Sequence, residues 1–129
     1  MVQDDYFTRM ISGMVNTLLK LIFQIDHGKN ESNAFKDSEM AEKCRELTDL
    51  IESGEINEAE NRLLEELDPE DMEFYKLALM FYYFLNEKDS GFLEAHDFSK
   101  NEVNDGLRYV SRIYGYESMA EALLGKDAQ

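Results

Sequence analysis

Apolar side chains recur along most of this chain at steps of three and four, the spacing that lines one flank of an α-helix. Between Asp5 and Ile25 the line is Phe7, Ile11, Met14, Leu18, Leu21 and Ile25. Tyr6, Met10, Val15, Leu19 and Ile22 widen it until only Arg9, Gly13, Asn16, Lys20 and Gln24 stay polar. A helix this apolar must be covered on more than one side, within its own domain or by a second subunit. The pattern breaks at His27-Gly28-Lys29-Asn30, a helix exit with a glycine free to turn left-handed, and the polar run over residues 27–37 reads as a flexible linker.

A second helix is predicted over 38–53, with Ser38 as its cap and Met40, Cys44, Leu47 and Ile51 on its inner stripe. Gly54 ends it. A third follows at once over 57–67, with Asn57 as cap and Ala59, Leu63, Leu64 and Leu67 facing inward. Two helices joined by so short a turn form an antiparallel hairpin. Asp68-Pro69 signals a fourth helix over 69–86, proline at its first position losing nothing by its missing N–H. The centre of that helix, Leu77 to Leu85, is apolar all round, so it belongs between other helices, with tyrosine hydroxyls finding partners or water. Ser90-Gly91 marks a turn, with room for one helical turn at Phe92–Ala95. Ser99 with Glu102 three residues on fits a capping box, opening a fifth helix over 100–114 on Val103, Leu107, Val110 and Tyr114. A sixth, over 117–124, buries Met119, Ala120, Leu123 and Leu124. No stretch alternates with period two. The expected fold is all-α: one domain over residues 1–129, a bundle of five to six helices.

Two resemblances rest on particular residues. Gly54-Glu55-Ile56-Asn57-Glu58-Ala59 followed by Leu63 resembles the turn and second helix of a tetratricopeptide repeat, where a small residue lets two helices approach. The chain departs from that repeat at Leu47, where a small residue is expected, and at Pro69, which arrives early. No second copy follows at a period of roughly 34 residues. The second resemblance joins Asp5-Tyr6…Arg9-Met10-Ile11, the hairpin, and Phe98-Ser99…Glu102-Val103…Asp105-Gly106-Leu107…Tyr114-Gly115. Together these blocks are similar to a family of small helical proteins of Firmicutes classed as a domain of unknown function. That resemblance implies a bacterial helical protein and brings no catalytic residues with it.

Charge changes the picture next. The formal net charge is −15, which argues against nucleic acid as a partner, because phosphate binding needs clustered Lys and Arg. The excess is local: from Asp37 to Glu73 there are 15 acidic and 3 basic residues, net −12, against 13 and 10 in the rest. Such a stretch is either a solvated face or a docking surface for a basic protein, since a concentrated field steers association. No run approaches the about 20 apolar residues of a membrane helix. No secretory signal is evident, so a cytoplasmic location is the expectation.

Candidate chemistry is sparse. Cys44, the single cysteine, lies on an inner stripe, where a thiol is inert. The two histidines, His27 and His96, meet no nucleophile elbow. Glu94, His96 and Asp97 are the best metal candidates, three ligand-type side chains within four residues. The plainer reading has His96 bonding to the start of the following helix. The glycines are isolated, so no phosphate loop exists. The carboxylate pairs of the second and third helices face solvent by periodicity, so a buried pair with split pKa values is not indicated. No enzyme activity and no cofactor are expected. The leading expectation is a helical protein–protein interaction module that self-associates, with Phe7, Ile11, Met14, Leu18 and Leu21 as a homodimer contact. An acidic regulator that caps a basic protein surface is the alternative, and a small metal protein at Glu94, His96 and Asp97 the third.

Overall fold

The computed structural model describes residues 2–24, 35 and 37–124. Among them it forms helices and no strand. Helix α1 (Val2–Leu18) runs into a π-helical turn (Leu19–Phe23). There follow α2 (Ser38–Glu52), α3 (Ile56–Glu66), α4 (Met72–Asn86), α5 (Ser90–Ala95), α6 (Lys100–Ile113) and α7 (Glu117–Leu124). The seven helices exceed the expected five to six because the turn at Phe92–Ala95 is a helix of its own, capped by Asp89 accepting from the Phe92 N–H at 2.8 Å.

Helix α4 is the axle. It packs against α1, the π turn, α2 and α6, while α7 rests on α1 and α6. Tyr75 through Tyr83, Leu85 and Asn86 are all buried, as an element apolar on every side requires. Burying one large apolar side chain stabilises by about 1.5–3 kcal/mol, so this one helix carries a large share of the core. Helix α1 closes on it with Ile11, Met14, Val15 and Leu18, and α6 with Val103, Leu107 and Val110.

Close approach of α6 to α4 depends on Gly106. A Cβ there would lie 2.3 Å from the Tyr82 ring, so no side chain fits without moving a buried aromatic. Polar groups also stitch the core. Lys100 donates from Nζ to the Asn86 carbonyl at 2.6 Å and to Thr8 Oγ1 at 3.0 Å. Asn86 Nδ2 donates to the Thr8 carbonyl at 2.9 Å and to Ser12 Oγ at 3.0 Å. A cation at the C-terminal end of α4 meets its unpaired carbonyls and the negative end of its dipole. At the other end Tyr75 lies stacked between Tyr114 (4.8 Å) and Tyr116 (5.6 Å) and bonds Ser111 Oγ at 2.8 Å. Burial pushes the Tyr75 phenol up to about 12, against the opposing pull of that bond.

Several expected boundaries move by a few residues, each for a capping reason. Asp37, not Ser38, caps α2, accepting from the Glu39 N–H at 2.9 Å. Asp71, not Asp68, caps α4, accepting from the Glu73 N–H at 3.0 Å. Pro69 therefore lies before the helix, and Asp68 closes a preceding turn onto the Glu70 N–H. Helix α3 begins at Ile56 without a side-chain cap. Ser99 behaves as the capping box requires, accepting from the Glu102 N–H at 3.2 Å. The linker read over 27–37 lies outside the described residues except for Phe35, which is buried, and Asp37, which caps α2. Lys76 Nζ lies 5.3 Å from the centre of the Phe23 ring and 5.2 Å from that of Phe35, a cation–π contact joining α4 to both.

Candidate interaction surface

The α2–α3 hairpin is built on one turn. Gly54 takes φ +86°, a left-handed conformation that ends α2 at low cost only for glycine. Ile51, Ile56, Ala59 and Leu63 are buried behind it. The outer side of the turn is covered by His96. A Cβ on Gly54 would meet the imidazole at 2.4 Å, so space as well as backbone requires glycine. His96 Nδ1 lies 2.8 Å from the Phe92 carbonyl and its ring rests against Phe92, 4.6 Å between centres. Lys88 sits over the same Phe92 ring and pairs with Glu52 at 2.6 Å. Asn57 Nδ2 donates to the Asp97 carbonyl at 3.1 Å. Asp97 itself turns left-handed, φ +61°. Thus α5 and the loop after it clamp the hairpin's bend.

This arrangement settles the placement of the metal candidates. His96 closes the end of α5 and wedges against Gly54, instead of reaching the start of the next helix. Glu94 and Asp97 are exposed. Among the described residues no three His, Cys, Asp or Glu side chains are grouped as a metal ion would need. Asn57, expected to cap α3, serves instead as the tie to Asp97.

On its open side the hairpin is acidic. Glu39, Glu42, Glu46 and Asp49 fall at steps of three and four along α2, and all are exposed. Glu58, Glu65 and Glu66 are exposed on α3. The basic side chains of the hairpin are turned onto their own neighbours: Lys43 to Glu66 at 3.2 Å, Arg62 to Glu58 at 3.8 Å, and Arg45 to Glu42. None of the ion pairs among the described residues includes Glu39, Glu46 or Asp49. A groove of about 30 Å³ lies between the helices, lined by Lys43, Glu46, Leu47, Arg62, Leu63 and Glu66. It holds about one water, too little for a small-molecule site.

One carboxylate of the hairpin departs from the expected solvent-facing pattern. Glu60 is half-buried at the junction of α3 with α4 and α6 and accepts from the Tyr82 hydroxyl at 2.7 Å. Its pKa is raised, first by burial and then by the Glu102 carboxylate, while the Tyr82 bond pulls the other way. Burial beside Glu60 raises the Tyr82 phenol as well. Nothing in the local pattern of α3 signals this; Gly106 signals only that α6 comes close to the Tyr82 ring.

Of the five side chains expected as a homodimer contact on the first helix, three are covered within one chain. Ile11, Met14 and Leu18 are at most 1% exposed, covered by the chain's own helices. Phe7 is half-buried and Leu21 alone is exposed, at 63%. The π turn explains Leu21: a wider turn falls behind the 3.6-residue period and rotates the side chain away from the core. Gln24 closes that turn at φ 60°. Cys44 is half-buried, less enclosed than its stripe suggested. Among the described residues no helix is long and apolar enough to cross a membrane. No curated protein and no solved structure matches the chain. A family model does, over residues 1–115, nearly all of the described helical core, and the chain therefore belongs to that family of unknown function, DUF6483.

Proposed function

We propose that the protein is a non-catalytic interaction module whose α2–α3 hairpin presents an acidic face to a basic protein surface. The carrying observation is the exposed group Glu39, Glu46 and Asp49, which none of the ion pairs among the described residues includes, on a hairpin whose basic side chains Lys43, Arg45 and Arg62 pair with Glu66, Glu42 and Glu58. Carboxylates held on a rigid helix favour a complementary partner by steering encounter. Self-association through α1 has less support, since most of the side chains offered for it are already covered. The tetratricopeptide-like form of the hairpin, a bacterial source and a cytoplasmic setting accompany this reading as proposals.

The test neutralises equal charge in two places. One variant carries Glu39→Gln, Glu46→Gln and Asp49→Asn, the other Glu87→Gln, Glu94→Gln and Asp105→Asn. Capture of basic proteins from the host should fall for the first and not the second, and should weaken steeply as salt screens the surface. Equal capture by both variants, or capture indifferent to salt, would sink the reading.

A further inference from the structure

We propose that α7 is a detachable strap over a self-association face on α1: the chain is single while α7 is seated and pairs with a second copy through α1 when α7 lifts. Helix α7 is built to separate. It packs on α1 and α6 rather than on the axle α4. Among its described side chains only Ala120 is fully buried, while Met119 and Leu123 are half-buried. It has 8 residues, fewer than the about 12–15 that an isolated helix needs to hold in water. The family match ends at residue 115, so α7 lies outside the matched unit.

Its ties are side chains that water reaches. Arg108 Nη1 donates to both Glu121 oxygens at 2.8 Å, and Arg112 Nε lies 3.4 Å from Glu117. Both pairs are part-exposed, and such pairs add little to stability. Before the helix, Tyr116 stacks on Tyr75 at 5.6 Å and fixes the point from which α7 swings.

What α7 hides is half of α1. A helix apolar on more than one side needs two covers. Helix α4 is one, meeting Thr8 and Ser12 through Asn86. Helix α7 is the other. The 3.6-residue period puts Phe7, Met10 and Met14 on the flank turned away from Ser12, the apolar flank open to a second cover. Tyr6 and Leu21, exposed at 53% and 63%, stand at the two ends of α1 and its π turn. Lifting α7 joins these side chains into one apolar surface, the kind that marks an interface.

Charge selects a second copy as the occupant. The chain carries −15, so two copies repel over most of their surface. From residue 2 to residue 24 the charges are Asp4, Asp5, Arg9 and Lys20, net zero, and α1 lacks that local repulsion. One α1 flank against its copy makes a two-fold contact that closes on itself. The strap needs no partner at the acidic hairpin face and stands whether or not that face binds one.

Amide hydrogen exchange on the wild-type chain reads the strap without any substitution. After correction for intrinsic rates, the hydrogen-bonded amides of α7 should be at least about ten-fold less protected than those of α4 and α6, which open only with the core. Protection of α7 equal to that of α6 overturns the proposal. Sedimentation then reads the mass. The wild type should sediment chiefly as one chain. Ala120→Asp puts a carboxylate into the closed contact of α7 and should sediment at twice the chain mass. Glu121→Lys sets a cation against Arg108, leaves the core untouched, and should pair to a lesser extent. Adding Met10→Asp to either should restore the single chain. If both variants stay single, or if the pairs survive Met10→Asp, the proposal is overturned.

Discussion

Helix α4 and the α2–α3 hairpin are both regular helices with capped or tightly turned ends, yet they are held by different means. Around α4 every side has a neighbour, and its tyrosines, lysine and asparagine are buried along with its aliphatic side chains. The hairpin has one buried stripe, through Leu47, Ile51, Ile56, Ala59 and Leu63, and a charged exterior. Apolar burial grows with the area covered, so the axle is where the fold has most to lose. The hairpin is where charge can accumulate, because exposed carboxylates cost little to keep ionised. The contrast also locates the seam. Where the polar element meets the apolar one, at Glu60 and Tyr82, a carboxylate is drawn part-way out of water.

The largest expected effect breaks the axle. Leu79→Ala empties a site that is fully buried in α4 and should cost about 2–5 kcal/mol, read from urea unfolding. The matching truncation on the hairpin, Leu64→Ala, removes a half-buried side chain and should cost well under half as much. Equal losses would show that the two regions are not distinguished by burial. Overpacking comes next. Gly106→Ala drives a methyl into the Tyr82 ring and should cost about 1–3 kcal/mol. Combined with Tyr82→Ala the loss should be less than additive, since the clash has no partner. A smaller effect belongs to the cap of α6: Ser99→Ala removes the acceptor of the Glu102 N–H and should cost about 1 kcal/mol in thermal unfolding. The smallest is at the surface. Breaking the Lys43–Glu66 pair, whose glutamate is half exposed, with Glu66→Gln should change stability by about 0–1 kcal/mol. A large loss there would mean the hairpin depends on its ion pairs more than on its buried stripe.

The sequence pattern was most informative where one physical effect dominated. The apolar centre of α4 could only be buried. Ser99 could satisfy an orphan N–H at a helix start, and does so for Glu102. It misled where two effects competed. Asp68-Pro69 reads as the start of α4, but the helix begins at Met72, where Asp71 reaches the Glu73 N–H. Leu21 kept the helical period but met a π turn. The candidate site was legible in its charge and invisible in its geometry. Nothing in the spacing of Glu94, His96 and Asp97 revealed that His96 would face Gly54, because the two lie on different elements.

Helical class, the buried axle, the hairpin and the acidic excess were determined by the sequence alone, since periodicity, caps and charge act over a few residues. The tertiary structure decided which side of α1 its own chain would cover, where the basic side chains of the hairpin would turn, and that Glu60 would meet Tyr82 beneath Gly106. Those outcomes depend on how helices distant in sequence approach one another, and local pattern fixes the face a helix must hide without fixing the neighbour it hides against.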